Sequence, residues 1–164
     1  MVQNMSKLDN LYDVLKEQLD LYKEFLEVEK EKYDIILADD IKRLDEIVTE
    51  EQVFFLKSRG LDQKRERLLK ELGFEGKTLK QLIELVDESN KDRFRKIHHE
   101  IFNALQNFKE KNNQCQDLVQ VRLYRAQTMI NKLDESTANR NLYFKDGNAD
   151  EIDVNKMKFM SKKI

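Results

Sequence analysis

Apolar residues at Leu8, Leu11, Leu15, Leu19, Tyr22, Leu26, Tyr33 and Ile36 recur in steps of three and four or their sums. That spacing sets side chains along one face of an α-helix. Ser6 is placed to cap it. Asp39 and Asp40 are poor in helix interiors and good as amino-terminal caps, so they end this helix near Ala38 and start the next after a tight reversal. The second helix carries Ile41, Leu44, Ile47, Val48, Phe55, Leu56, Leu61, Leu68, Leu69 and Leu72, and stops at "GFEG", Gly73 to Gly76. Gly60 lies inside it at a cost of about 1 kcal/mol relative to alanine, which predicts a bend or a close helix approach.

Thr78 and Gln81 have capping-box spacing and open a short third helix that reaches about Val86. Ser89 then reads as the cap of the longest helix, with Asp92 in its first turn where the helix dipole favours negative charge. In that helix Phe94, Ile97, Ile101, Leu105, Phe108, Asn112, Cys115, Val119, Arg122, Ala126, Met129 and Leu133 alternate steps of three and four, a heptad seam. A polar Asn112 on the seam reads as a register pin. From Lys91 to Ser136 the helix would run about 70 Å, against about 48 Å for each of the first two, so its carboxyl end outruns its partners.

These elements predict an all-α fold: an elongated antiparallel helical bundle or coiled coil, with two long helices, a short connecting helix and a longer final helix. Residues 1–136 form the bundle domain, and 137–164 a flexible tail that contributes to partner binding. Within the tail, Leu142, Tyr143 and Phe144 stand side by side, which no single helix face accommodates. Composition agrees, with 38% charged residues, no proline and four glycines in 164 residues.

Charge changes the picture only locally. Thirty basic and 32 acidic residues leave a net charge of −2, so no global field draws the chain to nucleic acid or an anionic membrane. Leu8 to Ala38 holds nine acidic and four basic residues, while Leu105 to Leu133 holds five basic and two acidic. That contrast predicts antiparallel packing of the last helix on the first, with a small energy. The amino end lacks the apolar core of a signal peptide and no apolar stretch approaches the ~20 residues that span a bilayer. With a single cysteine, Cys115, and hence no internal disulfide, the expected setting is cytoplasmic.

Catalytic and cofactor chemistry finds little to stand on. His98 and His99 are preceded at three residues by Arg95 and Lys96, not by the glutamates of a helical carboxylate metal site. No glycine-rich phosphate loop occurs. The carboxylates read as solvated helix faces, and Cys115 as a small core residue. No enzyme, cofactor or metal is expected. The basic segment "NKMKFMSKKI" reads as a solvated end, without stable membrane insertion or nucleic-acid binding.

What remains is helix surface. Leu118, Val119, Val121, Leu123, Tyr124, Ala126, Met129, Ile130 and Leu133 cover more than one a/d stripe. The surplus must be met by burial in the bundle, self-association as a homodimer, a folded-back tail, or a partner. Methionines suit adaptable contact, and an amphipathic helix suits the face.

Several segments resemble the FlgN-type flagellar export chaperones. They are "RLDEIVTEEQ", with Leu44, Ile47, Glu50, Glu51 and Gln52, and "LDQKRERLLKELG", with Arg65, Leu68, Leu69, Leu72 and Gly73. In "NNQCQDLV" the likeness rests on Asn112 and Leu118, and Cys115 stands where the family pattern has an asparagine. "YFKDG" runs from Tyr143 to Gly147. The resemblance implies a cytoplasmic, non-catalytic chaperone of the flagellar type III export route. Its clients would be hook-filament junction proteins, bound through carboxyl-terminal amphipathic helices, kept from premature assembly and passed to the export machinery. It also implies client binding between Leu118 and Phe144, in agreement with the surplus apolar surface there, and the expected contact residues are Leu118, Val119, Arg122, Leu123, Ala126, Met129, Ile130, Leu133, Leu142, Tyr143 and Phe144. The alternative is a structural coiled-coil adaptor that self-associates through its last helix and has no export client.

Overall fold

The computed structural model describes residues 2–143, with side chains described for 6–140. Four helices follow in order: α1 (Val2–Leu37), α2 (Ile41–Glu71), α3 (Leu79–Leu85) and α4 (Glu88–Tyr143). The all-α expectation holds, with two long helices, a short one and a longer last one. Ser6 lies within α1 and does not cap it.

The reversals are built locally. At the end of α1, Asp40 N–H donates to Ile35 O and Asp39 N–H to Ile36 O, with Asp39 at φ 55°. This is the Schellman arrangement, in a residue type that tolerates the left-handed region. Asp40 then caps α2, accepting from the Arg43 backbone N–H at 3.0 Å. The same arrangement ends α2, where Phe74 N–H meets Leu69 O, Gly73 N–H meets Lys70 O, and Gly73 sits at φ 78°. Thr78 and Gln81 form the expected reciprocal capping box of α3. α4 begins ahead of Ser89, whose hydroxyl turns back to the Asp87 carboxylate.

By packing, the chain divides into a first unit, Met1–Gln120, and a second from Val121 onward. In the first unit α1 and α2 are antiparallel: Gln18 donates to Asp62, Phe25 stacks on Phe54 at 5.0 Å, and Lys32 meets Glu51. α4 runs parallel to α1, because Asp9 pairs with Arg93, Phe25 with Phe108 and Glu29 with Asn112. The expected antiparallel packing of first and last helix is therefore corrected. Two reversals return the chain to its first direction, and a net charge per helix has no direction in it.

The core joins Leu11, Leu15, Leu68, Leu82, Phe94 and Ile97, with Tyr12 edge-on to Phe94 at 5.8 Å. Burying such side chains contributes about 1.5–3 kcal/mol each. On α4, Ala104 takes the buried place expected of Leu105, which is 40% exposed. Four apolar residues read as part of the α2 stripe are also exposed, Ile41, Val48, Phe55 and Leu56. The buried face of α2 is Ile47, Glu51, Leu68 and Leu69. Gly60 is exposed, and a methyl group there would meet nothing within 4 Å; no close helix approach requires it.

α4 continues past Ser136, where the tail was expected to begin, so residues 137–143 are helical. Ser136 Oγ and Thr137 Oγ1 both donate back to Leu133 O, at 2.9 and 2.8 Å, instead of ending the helix.

Candidate functional site

Where the three long elements of the first unit meet, the seam turns polar. Glu29 of α1 is fully buried and Glu51 of α2 nearly so. Lys32 Nζ lies 3.1 Å from Glu29 Oε1 and 2.5 Å from Glu51 Oε1. From α4, Asn112 Nδ2 donates to Glu29 Oε2 at 3.3 Å and Cys115 Sγ to the Glu29 carbonyl at 3.4 Å. The expected register pin at Asn112 thus has a definite partner. The reading of the carboxylates as solvated helix faces is corrected at Glu29 and Glu51. The signal was in the spacing, because Leu11, Leu15, Gln18, Tyr22, Phe25, Glu29, Lys32 and Ile36 form one run of threes and fours.

Burial pushes the Glu51 carboxyl up to about 7, helped by the neighbouring Glu29 carboxylate. Burial also acts to raise Glu29, but the Glu51 hydrogen bond and the Lys32 charge hold it below the ordinary glutamate value. Cys115 is 1% exposed, and burial pushes its thiol up to about 11. A thiol this far from ionisation at neutral pH is a poor nucleophile, in keeping with its core position. Among the described residues no three His, Cys, Asp or Glu side chains gather as a metal site, and no helix is long and apolar enough to cross a membrane.

The expected contact residues divide between the units. Leu118 and Val119 are half-buried in the first. In the second, Arg122 is half-buried and Ala126 is exposed, and so are Leu123 (58%), Met129 (65%), Ile130 (43%) and Leu133 (64%). At 100° per residue, Arg122, Leu123, Ala126, Met129, Ile130 and Leu133 share a stripe roughly 120° wide. Val121 and Tyr124, also exposed, lie on the other side of the helix. Leu142 and Tyr143 are helical in backbone, while Phe144 lies outside the described residues.

The family model described as FlgN protein matches residues 1–151. The chain belongs to the FlgN family. FlgN proteins are flagellar export chaperones, and that general role comes with membership. No curated protein and no solved structure matches the chain. The FlgN match spans all four helices, including every part of α4 on which contact residues were expected.

Proposed function

We propose that the chain binds the carboxyl-terminal amphipathic helices of hook-filament junction proteins in the cytoplasm, prevents their premature assembly and hands them to the export machinery. The observation that carries this reading is the exposed stripe of Leu123, Met129, Ile130 and Leu133 on α4. Large apolar side chains together in water favour a partner that covers them, and an amphipathic helix offers a matching stripe at the same period. Met129 adds a side chain that repacks against different shapes. Leu118, Val119, Arg122 and Ala126 belong to the same reading as flanking contacts. Leu142, Tyr143 and Phe144 close over the bound helix.

Calorimetric titration with the carboxyl-terminal segment of a junction protein tests the proposal, with saturable one-to-one binding expected. Absence of binding, together with concentration-dependent dimerisation in light scattering, would instead select the self-associating adaptor. Truncation after Ser136 tests the closing residues separately: weaker binding is expected, and unchanged affinity removes their part.

A further inference from the structure

Glu29, Lys32 and Glu51 place two carboxylates on one ammonium inside the first unit, with side-chain exposures of 0%, 14% and 10%. A buried charge is tolerated only when paired and hydrogen-bonded. Glu29 satisfies both conditions through Lys32 and Asn112. Glu51 shares the same ammonium and faces the Glu29 carboxylate, so a proton on Glu51 both removes the surplus charge and supplies a hydrogen bond to Glu29. The protonated junction is neutral; the deprotonated one carries one uncompensated negative charge.

We propose that this junction is a proton-operated latch on α4: proton uptake by Glu51 closes the three helices together, and proton loss loosens α4 from α1 and α2. The link to α4 runs through Glu29, which accepts from Asn112 by its carboxylate and from Cys115 by its carbonyl. The titratable groups that face Glu51 are Glu29 and Lys32 of α1, and those of α4 face the Glu29 side of the junction. From α4, Cys115 meets Glu29 and senses Lys32 and Lys111, and the Lys111 ammonium sits 4.0 Å from the ring centre of Tyr33 on α1. Burial acts to lower Lys32, but its hydrogen bond to Glu51 and the Glu29 charge hold it above the ordinary lysine value. Lys32 therefore stays charged and the Cys115 thiol stays protonated around neutrality, which leaves Glu51 to change state.

The sign follows from linkage. A carboxyl raised to about 7 when closed, and returned to an ordinary value near 4.5 when open, stabilises the closed form most at low pH and loses that effect as pH rises through 7. Local opening should then grow about tenfold between pH 6 and pH 8. The full chain tests this by NMR. The Glu51 carboxyl carbon should titrate near neutrality, apart from the exposed glutamates. Amide protection around Asn112 to Cys115, corrected for intrinsic exchange, should fall about tenfold over the same range. Glu51→Gln should keep that protection and lose its pH dependence. Titration of Glu51 at an ordinary glutamate value overturns the proposal, and so does a Glu51→Gln protein with the wild-type pH dependence. If that variant does not fold, the wild-type carboxyl titration decides by itself.

Discussion

Asn112 donates its side-chain amide to Glu29 Oε2 at 3.3 Å, joining α4 to α1 across 83 positions of sequence. Its carbonyl oxygen accepts from Gln116 at 2.9 Å, which fixes the amide's orientation. In Asn112→Leu the branched shape stays and the donor goes, so a buried carboxylate loses a partner. Urea unfolding should show a loss of about 1–3 kcal/mol. An unchanged midpoint would remove Asn112 from any account of register.

Lys32→Met leaves Glu29 and Glu51 buried without their shared cation. The expected destabilisation at pH 8 is on the order of 3–5 kcal/mol. It should shrink as pH is lowered toward 5, because Glu51 then accepts a proton and one of the two charges disappears. Thermal unfolding at several pH values checks both the size and the direction.

Gly60 stands exposed in the interior of α2 with open space at its Cβ position. Gly60→Ala should therefore stabilise the fold by about 1 kcal/mol. That corresponds to a rise in Tm of about 3 °C. A lower Tm would mean that the glycine serves a conformation other than this helix.

Met129→Lys combined with Leu133→Lys should leave stability within about 0.5 kcal/mol, since both side chains are exposed. Binding of a client helix should weaken at least about tenfold, through loss of two apolar anchors. Circular dichroism and calorimetry on the same sample separate the two effects. Intact binding in this variant would move the contact face elsewhere.

Helix number, order and turns were legible because their causes are local. Asp40 caps α2 through an atom three residues away, Thr78 and Gln81 satisfy each other, and Gly73 supplies the one conformation its turn requires. Where local cues misled, a competing local bond explains it. The last helix was expected to end at Ser136, but the Ser136 and Thr137 hydroxyls bond to the preceding turn and the helix goes on. The apolar stripe of Leu123, Met129, Ile130 and Leu133 was also legible, since it is a matter of period.

By itself the sequence determined the order of the four helices among the described residues, the turns between them, and that the last of these helices carries more apolar surface than one seam uses. Only the tertiary structure decided which positions meet. Phe55 and Leu105 are exposed while Ala104, Glu29 and Glu51 are buried, because burial depends on the angle at which another helix arrives. It also decided that α4 runs parallel to α1, so that Asn112 comes to rest on Glu29. Periodicity ranks faces within one helix and carries no information about its partner. Two carboxylates and a lysine 19 residues from one of them become a single titrating unit only when three helices close around them.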